Sequence, residues 1–169
     1  MSPRVVLVGP MGAGKTTVAE RLGELWRLPV RDTDHDVEQQ TGRSISDIFV
    51  EQGEAHFRSL EREAVARALR EHEGVLALGG GAVLDPETRA RLADHTVVFL
   101  EVGLAEAVKR VGLGTGRPLL LGNVRARIKA LLDERTPIYT AVATHTVSTD
   151  ELAPDEIAAQ IDRLLEENR

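Results

Sequence analysis

Arg4-Val5-Val6-Leu7-Val8-Gly9-Pro10-Met11-Gly12-Ala13-Gly14-Lys15-Thr16-Thr17 is the stretch on which the fold turns. Val5 to Val8 is a short apolar run bounded by glycine, the pattern of a buried parallel strand. Gly9 to Thr16 then fits G-x-x-x-x-G-K-[ST], the phosphate-binding loop. Glycines belong there because backbone N–H groups must turn inward around phosphate oxygens, and a Cβ would block the approach. Lys15 supplies a point charge for β- and γ-phosphates, and the Thr16 hydroxyl is placed to ligate Mg²⁺. Val18, Leu22, Leu25 and Trp26 follow at helical spacing, so a helix dipole points at the phosphates. Strand before and helix after supply the context that a chance match would lack.

Working outward, 169 residues fit one domain, 1–169, with a core of useful size. There is no cysteine, so no disulfide framework or thiolate metal site is available. Val5–Val8 is too short for the apolar region of a signal peptide, and no run approaches a membrane span. A cytoplasmic protein without a membrane partner is expected. The net charge of −6 and the 3% of aromatic residues argue against a nucleic-acid partner.

Along the chain, Pro29-Val30-Arg31-Asp32 reads as a second strand, ending in Asp32-Thr33-Asp34-His35-Asp36. Ser44 reads as the N-cap of a helix through Ile45, Ile48 and Phe49. Gly53 precedes a long helix from about Glu54 to His72 with Phe57, Leu60, Ala64 and Ala68 inward. Val75–Leu78, closed by Gly79-Gly80-Gly81, and Thr96–Leu100 read as strands, and Thr146-Val147-Ser148 as a possible fifth. Pro86, Leu104, Val124 and Pro154 lie at the starts of further helices, the third running to about Arg135. The glycine-dense segment Gly112–Pro118 is expected to hold no regular element and to form a mobile loop. Strands alternating with helices imply an α/β fold, a parallel sheet covered on both faces, with ligands at the strands' carboxyl ends.

Three features fall just after strands. Asp32 and Asp34 could divide two tasks, one holding metal-bound water and one facing a substrate hydroxyl; the alternative is a helix start enriched in acid. Gly79, Gly80 and Gly81 would let backbone amides approach a ligand closely. Arg117, flanked by glycine, could swing over the phosphates or could be a solvated loop residue. Arg58 has Glu54 and Glu61 one turn to either side, so its spacing alone reads as a surface ion pair. Arg135 alone reads as a cation near a helix end, and Glu101 competes with Asp32 as the acidic strand end. The five histidines show no metal-ligand spacing.

Taken together, the chain resembles the shikimate kinase family over nearly its whole length. The resemblance rests on the phosphate loop, Asp32-Thr33-Asp34, Thr41–Ile45 with Asp47-Ile48-Phe49, and Gly53-Glu54. Phe57-Arg58, Glu61, Leu78–Ala82 and Arg117-Pro118-Leu119 extend it. It implies a three-layer αβα sandwich with a central five-stranded parallel sheet, a P-loop NTPase fold like that of adenylate and other nucleoside-monophosphate kinases. It implies ATP and shikimate as the small-molecule substrates, Mg²⁺ with the ATP, transfer of the γ-phosphate to the shikimate 3-hydroxyl, and a monomer.

By the same resemblance, Gly12, Ala13, Gly14, Lys15, Thr16, Thr17, Arg110 and Arg117 would bind ATP. Thr16 and, through water, Asp32 would hold the metal. Asp34 would orient or deprotonate the hydroxyl, and Lys15 and Arg117 would complete the catalytic set. Arg58 and Arg135 would grip the shikimate carboxylate beside Gly79, Gly80 and Gly81. Helices at about 33–61 would carry the substrate site, and about 112–123 would be a lid. Two positions depart from the family: Ser148 stands where Asp is usual in the adenine-facing loop, and Ala153 where Arg often precedes Pro154. A kinase of another small metabolite, such as gluconate, and a binding protein that has lost phosphoryl transfer are the rival readings.

Overall fold

A computed structural model describes residues 2–115 and 121–167, with 111–115 and 121–123 by backbone alone. Five parallel strands form one sheet in the order β2-β3-β1-β4-β5. They are β1 (Val5–Val8), β2 (Val30–Asp32), β3 (Val75–Ala77), β4 (Val97–Glu101) and β5 (His145–Ser148). Among the described residues the helices are α1 (Lys15–Trp26), α2 (Thr33–Thr41), α3 (Ile45–Gln52), α4 (Glu54–Glu71), α5 (Pro86–Leu92), α6 (Leu104–Thr115), α7 (Leu121–Val142) and α8 (Pro154–Glu167).

The apolar strands split by parity into two cores, which makes the three layers. Val5 and Leu7 of β1, with Val75, Val98 and Val147, pack against Val18 and Leu22 of α1 and Ile157 and Ile161 of α8. Val6 and Val8, with Leu76 and Phe99, face the other way onto Val65 and Leu69 of α4, Leu92 of α5 and Tyr139 of α7. Successive strand residues point to opposite faces, and all four residues of β1 are buried, so an unbroken apolar run is what a sheet covered twice requires. Burying each such side chain is worth about 1.5–3 kcal/mol. A third cluster of Val37, Ile48, Phe57 and Ala64 fastens α2 and α3 to α4.

Helix extents differ from the expectation in two places. α6 does not stop before Gly112 but continues through Gly112 and Gly114 to Thr115; glycine costs a helix only about 1 kcal/mol per residue, and an established helix propagates across it. α7 starts at Leu121, before Val124, and passes Arg135 to Val142 with Pro137 inside. Its downstream residues Ile138, Tyr139 and Val142 pack on the sheet and hold the last turns despite the missing N–H. No helix among the described residues is long and apolar enough to cross a membrane.

Candidate active site

Every strand of the sheet runs the same way, and the cleft opens beyond the carboxyl ends of β1, β2 and β3. It measures about 890 Å³, and its wall takes in the phosphate loop, Asp32, Asp34, Arg58, Glu61, Gly79 to Gly81, Arg110 and Arg135. Residues scattered over more than a hundred positions therefore share one wall.

At one end lies the loop between β1 and α1. Gly14 is the N-cap of α1 at φ 83°, ψ 27°, a left-handed conformation that favours glycine, and no side chain caps the first turn. The open amides of that turn and the helix dipole make a seat for an anion. Gly12, Gly14, Lys15, Thr16 and Thr17 line the cleft, whereas Ala13 is buried beneath the loop. The Lys15 ammonium donates to the Gly9 carbonyl at 2.6 Å and the Pro10 carbonyl at 3.1 Å. Burial pushes it down to about 8, against the pull of Asp34 and Asp32.

Asp32 and Asp34 sit at the junction of β2 and α2. Asp32 is the N-cap of α2: its Oδ1 accepts the Asp34 N–H at 2.8 Å, while its Oδ2 accepts from the Thr16 hydroxyl at 3.4 Å. The helix-start reading is met, and it leaves Oδ2 facing the phosphate loop, because the two carboxylate oxygens face different partners. A hydroxyl and a carboxylate side by side at the mouth of a phosphate loop are hard oxygen donors of the kind Mg²⁺ takes. Among the described residues no group of three or more His, Cys, Asp or Glu could hold a metal. An ion here would be held by Thr16, Asp32, water and the nucleotide's own oxygens. Glu101 ends β4 outside the cleft wall, so of the two acidic strand ends only Asp32 faces the loop.

Asp34 reaches the middle of the cleft. Burial, then the Asp32 and Glu61 charges, push its carboxyl up to about 6, with Lys15 and Arg58 pulling the other way. A Cβ on Gly79 would run into the Asp34 carboxylate, and one on Gly81 would stand 2.5 Å from the Arg58 guanidinium. A side chain at either position would displace the Asp34 carboxylate or the Arg58 guanidinium from its place in the cleft.

At the far end, α4 and α7 present two guanidinium groups. Arg58 is indeed paired with Glu54 (3.5 Å) and Glu61 (2.9 Å), as its spacing predicts. The pair is not a surface one: Arg58 is 22% exposed and Glu61 only 3%. Burial pushes the Glu61 carboxyl up, opposed by the hydrogen bond from Arg58. Among the described residues, Asp34 Oδ1, Arg58 Nε and Arg135 Nε are buried without a hydrogen-bond partner. Buried polar atoms without a hydrogen bond are costly, and the three residues that carry them line one cavity, Arg58 Nε having Glu54 at 3.5 Å as its ion partner.

Arg110, on α6, donates to the Gly12 carbonyl at 2.8 Å and to the Thr149 hydroxyl and carbonyl at 3.3 Å. It therefore stands between the phosphate loop and the end of β5, next to Ser148. Arg117 lies outside the described residues, as do residues 116–120 of the segment expected to form a lid.

Four lining residues carry more than the sequence suggested. Glu61 is a buried acid holding Arg58, where spacing made it one arm of a surface pair. Ile128, Leu131 and Leu132 on α7 close the cleft's apolar side; their helical period was legible but not the direction it faced.

Comparison with known proteins agrees with this geometry. The family model for shikimate kinase matches residues 11–166. A shikimate kinase of Salinispora arenicola is 59% identical over 98% of this chain and 99% of its own. One of Thermobifida fusca is 60% identical over 94% and 92%. The structure of a shikimate kinase from Acinetobacter baumannii in complex with shikimate superposes with a TM-score of 0.92 at 36% identity, covering 100% of this chain and 95% of that one. A phosphate loop, a carboxylate pair and two half-buried arginines on one cleft wall, in a chain matched from end to end, place this protein in the shikimate kinase family.

Proposed function

We propose that this chain is an ATP-dependent kinase that phosphorylates the 3-hydroxyl of shikimate, yielding shikimate 3-phosphate and ADP. One observation carries the reading: Asp34, Arg58 and Arg135, each with a buried polar atom that makes no hydrogen bond, line a cavity whose other end is a phosphate loop. Two guanidinium groups suit a carboxylate, and a carboxylate between them and the phosphates suits a hydroxyl.

In this reading the amides of Gly12 and Gly14 to Thr17 cradle the phosphates. Lys15 exchanges the Gly9 and Pro10 carbonyls for phosphate oxygens, and its charge follows the negative charge that builds on the β–γ bridge. Arg110 lies at the adenine end, anchored by Thr149 next to Ser148. Arg58, fixed by buried Glu61, and Arg135 grip the acceptor's carboxylate beside Gly79, Gly80 and Gly81. That grip sets the acceptor's hydroxyl against Asp34, which accepts its proton as it attacks. Mg²⁺ held by Thr16 and, through water, Asp32 would supply charge neutralisation on the phosphates. Arg117 would add a further cation to the transferring group. A soluble monomer in the cytoplasm goes with this role.

Initial rates of ADP release with shikimate, with gluconate and with no acceptor test the reading. Release that depends on shikimate, with phosphorus NMR showing a new phosphate monoester, is expected. Equal release without acceptor would make the protein a plain ATPase, and preference for gluconate would move the acceptor assignment to another metabolite.

A further inference from the structure

Tyr139 is the sole tyrosine of the chain and is fully buried. It does not line the cleft, yet its hydroxyl donates to the Gly80 carbonyl at 2.5 Å, across 59 residues of sequence. Its ring stacks on Phe99 of β4, with centroids 5.0 Å apart and 30° between planes. The ring is therefore fixed to the sheet, and the hydroxyl is fixed with it. On α7, Arg135 lies one helical turn earlier on the same face. Burial pushes the Tyr139 phenol up, and the charge of the Arg135 guanidinium pulls the other way. A Cβ on Gly80 would lie 3.8 Å from Arg135 Nη1, so cation and glycine turn are neighbours as well.

The Gly80 carbonyl belongs to the planar trans peptide joining Gly80 to Gly81, and no peptide of the described chain is cis. Anchoring that oxygen on Tyr139 aims the Gly81 N–H in the opposite direction, away from the Tyr139 hydroxyl. Three successive glycines have the widest backbone freedom of any tripeptide, and an unanchored peptide plane there could rotate.

We propose that Tyr139 is a positioning residue of the acceptor end of the cleft. Its hydroxyl, bonded to the Gly80 carbonyl, fixes the glycine turn beside the Arg135 guanidinium, so that an amide and a cation meet the acceptor's carboxylate end together. This rests on shikimate being the acceptor. A sheet-anchored phenol thus sets acceptor affinity without touching the acceptor, and leaves the nucleotide end alone.

Tyr139→Phe keeps the ring and its stacking and removes the hydroxyl. Losing one hydrogen bond of this kind is expected to raise the KM for shikimate about tenfold. The KM for ATP, and kcat at saturating shikimate, should change less than about twofold. A single tyrosine also permits a readout without mutation: protein grown with 3-fluorotyrosine carries one fluorine label, at position 139. Its fluorine resonance should move on titration with shikimate, at the same midpoint as kinetics, and stay still with ADP alone.

A wild-type enzyme that turns over shikimate while Tyr139→Phe keeps its KM overturns the inference and leaves the proposed function standing. A resonance unmoved by saturating shikimate overturns it also if the variant does not fold. Absence of turnover with shikimate by the wild-type protein overturns the function itself, and the inference with it.

Discussion

Replacing Asp34 with asparagine should destroy activity and strengthen the fold, and the size of the second effect follows from how far its surroundings raise the carboxyl. Burial and the Asp32 and Glu61 charges raise the Asp34 carboxyl from its ordinary 3.8 to about 6. Between these values the folded chain binds a proton that the unfolded chain has released, so stability falls as pH rises from about 4 through 6. Above 6 the full difference is lost. About two pH units at about 1.4 kcal/mol each make about 3 kcal/mol, which the ionised carboxylate costs the native state. Asparagine keeps the shape and carries no charge. Urea unfolding of wild type and Asp34→Asn at about pH 7.5 should therefore show the variant more stable by about 2–3 kcal/mol. Near pH 4 the gap should shrink to about half a kcal/mol, since both proteins are then nearly neutral at this site. Groups remote from Asp34 cancel in the difference, whereas Lys15, Asp32 and Glu61, whose charges act on it, respond to its removal. Turnover should fall by orders of magnitude, because the amide cannot accept the acceptor's proton. A variant no more stable than wild type, or equally favoured at both pH values, would refute the claim that this carboxylate is held ionised against its surroundings.

The same electrostatics predict kcat/KM against pH: it should rise through about 6 as Asp34 loses its proton and fall through about 8 as Lys15 loses its own, and a flat profile across this range would remove both groups from chemistry. Lys15→Ala should abolish transfer while leaving the melting temperature within a few degrees, because the side chain fills no core; near-native turnover would exclude its role. Arg58→Ala and Arg135→Ala should weaken shikimate binding by about 2–5 kcal/mol in calorimetric titrations, with nucleotide affinity nearly unchanged; a surface ion pair would predict no loss of acceptor affinity. Arg117→Ala should lower kcat more than acceptor affinity, since its charge acts on the transferring group, and steady-state kinetics with a shikimate titration decide this.

The parts legible in the sequence are those whose cause is local. Val5–Val8 reads as a doubly covered strand because all four side chains need an apolar neighbour, and the structure buries all four. Gly9–Thr16 is legible because the loop's geometry is dictated within eight residues. Arg58 shows where this stops: its spacing to Glu54 and Glu61 correctly gives both ion pairs. The period of a helix says which residues share a face, but not whether that face meets water or a cavity. Only packing of α2 and α3 over α4 decides it. Gly112 and Gly114 failed in the opposite sense: local propensity argued against helix, yet α6 runs through both. Tyr139 was invisible because its partner is far off in sequence and its hydroxyl has no periodicity to betray it.

The division of labour between Asp32 and Asp34 comes down to one turn of chain. Asp32 closes β2 in an extended conformation, φ −126° and ψ 124°, and Thr33 begins α2. The change from strand to helix within that step breaks the alternation that would have put both carboxylates on one face of a continued strand. Asp32 turns to cap the helix and meet Thr16, and Asp34 enters the cleft. Buried Thr33 lies between them, its hydroxyl accepting the Gly79 N–H at 3.3 Å. The helix start is thereby tied to the glycine turn that would clash with Asp34 if it carried a Cβ. One bond thus holds in register the two walls between which a phosphate and a hydroxyl would meet. Repulsion between neighbouring carboxylates, which helps raise Asp34, is the cost of putting metal side and acceptor side within three residues. The capping bond and the Thr33 anchor keep that repulsion from pushing the two apart.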